Sequence, residues 1–345
     1  MIKTRICIIS DTHTCAPNAP LNTSNPYRQP LPKADILLHA GDLTKVGYHG
    51  EHEQMVAMLK EADAELKLVI AGNHDMSLDE EYFTSYGWRR HQRPEPLGGQ
   101  EILPDEDPRS TIRMKKGVPP SEAALKAYVQ RAKDLYTNAS AQAAGIRYLE
   151  EGTYTFTLSN GATFTVYASP YQPEFCRWAF AYEREEDRFN PPLVPGSAQQ
   201  PANPVPNHPA VDMMITHGPP LGILDKVIHG GRVGCTHLLR AAERARPRLH
   251  VFGHIHEAYG AARGTWDAAA KRGVRLEDVK TDPEDVLERR GAFCDLSAEG
   301  GTPLRFGEET LFVNASINTV QYKPRNAPWV VDLNLPVGAE GGGQG

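Results

Sequence analysis

Five cysteines in 345 residues, Cys7, Cys15, Cys176, Cys235 and Cys294, are too scattered for a disulfide framework: the count is odd and none stand in a Cys-x-x-Cys spacing. Reduced thiols are expected. Apolar runs near the ~18 residues of a membrane-crossing helix are also missing. The apolar stretch at residues 6–9 is too short for the core of a signal peptide. These absences predict a cytoplasmic or nuclear protein that is not secreted and has no membrane partner. The Asn-x-Ser/Thr sequons at Asn22, Asn138 and Asn314 are then read as chance. Charge of one sign is lacking too, since 37 Lys and Arg against 43 Asp and Glu leave a net −6, with no pull toward nucleic-acid polymers or anionic lipid.

What is present is an ordinary globular balance, 40% hydrophobic and 23% charged, in a chain long enough for two domains of ~150 residues or one with insertions. Residues 4–9, 34–39, 66–70, 211–216 and 248–252 read as short buried strands, and residues 310–313 and 329–333 as closing strands. Met55, Met58, Leu59 and Ala62 recur at helical spacing, predicting a helix over 49–63. Ser121 is placed to cap a helix whose apolar stripe is Leu125, Tyr128, Val129, Ala132 and Leu135. Thr236 is read as the cap of another, stopped by Pro247, and Asp282-Pro283 as the start of a short surface helix. Alternation on either side of Asn160-Gly161 predicts a hairpin that begins a second sheet. Residues 190–210, rich in Pro and Asn, read as an exposed loop, and the basic cluster Arg109, Arg113, Lys115 and Lys116 as a solvated one without a role. Strand alternating with helix argues for an α/β layer architecture, which collects ligands at strand C-terminal ends.

Those ends carry the chemistry. Asp11 and His13 follow the first strand, Gly41-Asp42 the second, Gly72-Asn73-His74-Asp75 the third, His217 the strand at 211–216, and Gly253-His254-Ile255-His256 the one at 248–252. A lone His or Asp at a strand end is usually a hydrogen-bonded turn residue. Five ends each bearing imidazole, carboxylate or amide oxygen, with no thiolate, instead suit a centre of Mn, Fe or Zn with open positions for water.

In that order the blocks resemble the calcineurin-like metallophosphoesterase superfamily, over residues 11–256. Peptides 39–44, 216–222 and 314–316 look most like its small metallophosphoesterase-domain group. The resemblance implies two packed mixed β-sheets flanked by helices, a four-layer α-β-β-α sandwich. It would form a single domain over residues 1–335, with insertions at about 87–145 and 260–308, followed by a flexible Gly-rich tail at 336–345. It places Asp11, His13 and His256 on one divalent ion and Asn73, His217 and His254 on the other, with Asp42 bridging. Two ions ~3.5–4 Å apart then share a hydroxide that attacks phosphorus in line, and His74 protonates the leaving oxygen. Asp75 or another carboxylate is a candidate to hold the His74 tautomer. His39, Asp225, His229 and Cys235 are candidates to face substrate.

Protein Ser/Thr phosphatases of the superfamily carry Arg before their Gly-Asn-His-Glu block and Asp-Arg-Gly after the Gly-Asp block. Here Ala71 precedes Gly72, and Leu43-Thr44-Lys45 follows Asp42. A singly charged diester needs less cationic compensation than a monoester, so the expected activity is hydrolysis of a small, nucleotide-like phosphodiester, cyclic nucleotides included. The alternatives are a broad phosphomonoesterase, with Arg177 or Arg232 supplying charge, and a slow regulatory protein that binds nucleotide and metal. The oligomeric state is left open.

Overall fold

The computed structural model describes residues 1–20, 22–91, 120–192, 200–270 and 273–338. The basic cluster at 109–116 and the Gly-rich tail beyond residue 338 lie outside the described residues. The first half of the chain runs through Ile2–Ile9 (β1), Ile36–Ala40 (β2), His49–Glu61 (α1), Leu66–Ile70 (β3), Glu80–Ser85 (α2), Glu122–Thr137 (α3), Ala139–Ala143 (α4) and Ile146–Tyr148 (β4). Next come Gly152–Thr157 (β5), Thr163–Ser169 (β6), Gln172–Pro173 (β7), Ala181–Tyr182 (β8), Met213–Thr216 (β9), Thr236–Ala245 (α5) and Leu249–Phe252 (β10). Gly260–Trp266 (β11), Val274–Asp278 (β12), Pro283–Arg289 (α6), Ala292–Asp295 (β13), Glu309–Asn314 (β14) and Trp329–Leu335 (β15) complete it.

One mixed sheet has the order β13-β15-β1-β2-β3-β4 and a second β12-β11-β14-β10-β9-β6-β5. Side chains alternate across a strand, so each strand feeds two layers. Ile36, Leu38 and Ala40 of β2, with Leu68 and Ile70 of β3, point between the sheets, where they meet Met213 and Ile215, Leu249 and Val251, and Leu311 and Val313. Leu37 and Val69 point the other way, onto Met55, Met58 and Leu59 of α1 and Leu125, Tyr128, Val129 and Ala132 of α3. Met214, Phe252 and Phe312 cover the far side of the second sheet together with Leu238, Ala241, Ala242 and Ala245 of α5. The layers are therefore α-β-β-α. Each fully buried Leu or Ile in them contributes roughly 1.5–3 kcal/mol.

The structure departs from the sequence reading in four places. Part of the stretch expected to be an insertion at 260–308 is sheet: β11 lies between β12 and β14, and β13 pairs with β15. β11 is built of Gly, Ala and Thr with Arg263 in its middle and Trp266 at its end, so it carries no apolar alternation to read. β4 was hidden by its three-residue length. Cys235, not Thr236, caps α5, its Sγ accepting from Leu238 N at 3.3 Å. Bonds to Pro219 O and from Leu221 N keep Cys235 extended as the cap, so the helix starts at Thr236, one residue earlier than expected. The described part of the 190–210 loop is not wholly exposed: Asn190 and Val205 are buried, and Arg244 of α5 donates to Val205 O at 2.8 Å.

Candidate metal centre

β1, β2 and β3 run parallel in one sheet and β9 and β10 parallel in the other, which brings their C-terminal ends to one edge. At Gly41, where the strand ends of the two sheets meet, there is no room for a side chain. A Cβ on Gly41, whose φ is +97°, would lie 2.6 Å from His217 Nδ1 and 2.7 Å from Ala71 O. Asp11, His13, Asp42 and His254 all have left-handed backbones, with φ of 49°, 43°, 54° and 66°. That conformation costs each roughly 1–2 kcal/mol. It persists because the neighbouring backbone is tied across the strand ends: Asp11 N donates to Gly41 O, His13 N to Asp42 O and Gly253 N to His217 O.

The side chains form three overlapping groups of possible ligand atoms, each within 4.8 Å of one another: Asp11, His13 and His256; Asp42, His217 and His254; and, sharing members with both, His13, Asp42 and His74. In the first, His256 Nε2 lies 3.2 Å from Asp11 Oδ1 and 3.3 Å from His13 Nε2. In the second, Asn73 Oδ1 lies 2.9 Å from His217 Nε2 and 2.8 Å from His254 Nδ1. Asp42 Oδ2 stands between these two groups, 3.7 Å from His13 Nε2 and 3.5 Å from His217 Nε2. Three rings are anchored from behind, with Nδ1 donating to Thr44 O from His13, Ala40 O from His217 and Thr319 O from His256. Carbonyls only accept, so Nδ1 holds a hydrogen and Nε2 faces the cluster, as orienting shells around metal-binding histidines do.

Burial opposes ionisation of Asp11, but its hydrogen bond and charge interaction with His256, then His217, outweigh it and hold the carboxyl low. Asp42 is likewise buried, and His217, His74 and His13 hold it well below its ordinary range. Burial also opposes charge on His217, yet Asp42 and Asp11 raise it to about 9. By contrast, burial lowers His13 to about 4 and His254 to about 3. The local demand is for positive charge: two buried carboxylates have no Lys or Arg ion pair among the described residues, only histidines. A divalent cation meets that demand, and the mixed O and N donor set fits one.

His74 lies beside this cluster, its backbone N donating to Asp42 Oδ1 at 2.8 Å. The carboxylate expected to hold its ring does not. Asp75 is fully buried and takes Gly72 N, Leu43 N, Thr44 N and Thr44 Oγ1, tying the third strand end to the second. Burial and the nearby Asp42 push Asp75 up to about 7. Lys45 O takes the His74 ring at 2.7 Å instead. His39 is buried against Thr12 Oγ1 at 2.9 Å. Asp225 is buried in its own loop, accepting from Gly222 N, Gly234 N and Arg232, and so faces the protein. His229 is exposed within the turn closed by Lys226 and Arg232.

Sequence reading gave no role to several residues here. Ser316 Oγ lies 3.0 Å from Asp11 Oδ2, and Asn318 Nδ2 donates to the carbonyls of Asp11 and Thr12. Their signal was the alternation of polar Ser316 and Asn318 with apolar Ala315 and Ile317 directly after β14. Trp178 stacks on His74, and the exposed rings of Phe175 and Tyr322 stand edge-on to His254 and His13. The density of aromatics at 171–180 was the trace of the first two.

Residues 4–258 match the calcineurin-like phosphoesterase family. Over 338 residues the chain is 30% identical to "Metallophosphoesterase domain-containing protein 1" of Homo sapiens, an alignment covering 96% of this chain and 72% of that protein. The protein of that name from Mus musculus gives the same figures. "UPF0046 protein T07D4.2" of Caenorhabditis elegans is 32% identical over 236 residues, covering 67% of this chain and 48% of that one.

Proposed function

Because the chain belongs to the calcineurin-like phosphoesterase family, we propose that it is a two-metal hydrolase of small phosphodiesters. In this reading Asp11, His13 and His256 hold one ion and Asn73, His217 and His254 the other, with Asp42 shared. The observation that carries it is the position of Asp42 Oδ2, between one imidazole of each donor group. Divalent ions bound there would neutralise phosphoryl charge and make a water nucleophilic near neutral pH. His74, with Nδ1 held by Lys45 O, keeps Nε2 for the substrate. As the oxygen of a water that has given one proton to solvent bonds to phosphorus, the opposite P–O bond breaks. The departing oxygen takes a proton carried on Nε2 in addition to the Nδ1–H held by Lys45 O, and solvent then replaces it.

The preference for diesters rests on charge. Ala71 stands before Gly72, and Arg232, one of the two arginines considered as a phosphate clamp, is engaged with Asp225 and Gly222 O. Arg177 favours the competing monoesterase reading, since it is exposed next to Trp178 at the rim of the cluster. Elemental analysis of the purified protein, with kinetics on bis- and mono-p-nitrophenyl phosphate, tests all of this. Two equivalents of divalent metal and a higher kcat/KM on the diester are expected. Preference for the monoester overturns the substrate class, and bound metal without hydrolysis of either ester identifies a binding protein.

A further inference from the structure

The loop between β7 and β8 reaches back over His74 in a way that the metal ligands do not require. The rings of His74 and Trp178 stack with centroids 3.9 Å apart and an interplanar angle of 25°. The Arg90 guanidinium lies 4.0 Å from the Trp178 centroid. Both groups therefore pack directly against the indole. His13 meets the His74 ring edge-on, at 4.7 Å and 83°.

The loop is in turn fastened to the segment that follows His74. Arg90 donates to Cys176 O and Arg177 O, and Tyr82 Oη donates to Arg177 O at 2.7 Å. Phe180 N donates to Asp79 Oδ2 at 2.7 Å. Cys176 and Arg177, directly before Trp178, are left-handed at φ 54°, a bend these carbonyl contacts keep in place. A ring held through Nδ1 alone can rock about that bond. A flat face against it fixes the plane in which Nε2 points.

We infer that Trp178 is the positioning residue for His74, holding the imidazole in the plane from which Nε2 reaches the leaving oxygen, with Arg90 packed against the indole. This rests on His74 being the acid, as proposed above. Misplacing a catalytic group by ~1 Å can cost ~10²-fold, and general-acid help is worth ~10²–10⁴-fold, mostly with poor leaving groups.

The test compares methyl p-nitrophenyl phosphate with methyl phenyl phosphate, whose leaving group needs a proton far more. Trp178→Ala should lower kcat on the phenyl ester by about 10- to 100-fold and on the nitrophenyl ester several times less, at wild-type metal content. Trp178→Phe, which keeps a flat ring, should recover most of the loss. In a His74→Ala background, Trp178→Ala should add no further leaving-group-dependent loss. A readout independent of turnover is the proton spectrum, in which indole ring current should hold the His74 ring C–H resonances upfield in the wild type but not in Trp178→Ala. Unshifted resonances, or a Trp178→Ala loss equal on both esters while His74→Ala discriminates, would overturn the positioning role and leave the acid standing. Equal losses from His74→Ala on both esters, or hydrolysis of neither ester by the wild type, would overturn the acid and with it this inference.

Discussion

Asp42 Oδ2 faces an imidazole from each sheet while Oδ1 takes the His74 amide, so one side chain joins both halves of the cluster to the neighbouring strand end. Asp42→Asn keeps the size and removes the charge. Metal content measured by elemental analysis is expected to fall, with every ester activity falling alongside; full occupancy in the variant would contradict a shared ligand. Gly253 supports a different half. A Cβ there would stand 2.0 Å from Asp11 Oδ2 and 2.3 Å from Ser10 Oγ, both in buried residues that cannot swing away. Gly253→Ala is therefore expected to displace Asp11 and cut bound metal from about two equivalents to about one. At this scale the sequence was readable where a residue type dictates chemistry, as with imidazoles and carboxylates at strand ends. It was silent on Lys45, because what holds His74 is a backbone carbonyl that every residue possesses. It also gave Asp75 a partner it does not have, since side-chain type says nothing about which of several nearby donors lies closest.

Among the elements, α3 shows how much a pattern can specify. Ser121 accepts from Ala124 N, and the stripe Leu125, Tyr128, Val129 and Ala132 is buried against α1 and the first sheet. Ser121→Ala removes an acceptor for an otherwise unpaired helix N–H and should cost about 1 kcal/mol. In urea the midpoint should drop with the slope unchanged, and Ser121→Asp should restore it. Strands rich in Val, Ile and Leu were equally legible, because burial on both faces demands a continuous apolar run. β11 was not, since small residues pack in the sheet without announcing themselves. The α5 cap moved to Cys235 because of contacts with residues 219 and 221, which lie outside any helix pattern.

Across the whole molecule, burial of neutral histidines sets the response to acid. Away from the proposed metal donors, His52 and His250 are held down to about 3 and His91 to about 4, in each case by burial first. His52 is fixed as the neutral ring: Ser77 Oγ donates to Gly47 O and so accepts from His52 Nε2, while Tyr136 Oη donates to Nδ1. Unfolding frees these rings to take protons at the ordinary value of ~6.5. Their contribution is therefore complete above that pH and is lost as pH falls through ~6.5 toward 3, by up to ~1.4 kcal/mol per pH unit for each ring. Tm measured in chelator should decline steadily from pH 7 to 5, and His52→Gln should make that decline shallower; an unchanged slope would show that His52 does not take part.

The sequence by itself determined which strands are buried and which chemical groups stand at their ends, because both follow from hydrophobic runs and residue type over a few positions. Only the tertiary structure decided that β1 to β3 and β9 and β10 end at one edge, that Asp42 faces both halves, and that Trp178 covers His74. Those are relations between residues up to about 240 positions apart, such as His13 and His256. They are set by how two sheets pack, which no local pattern encodes.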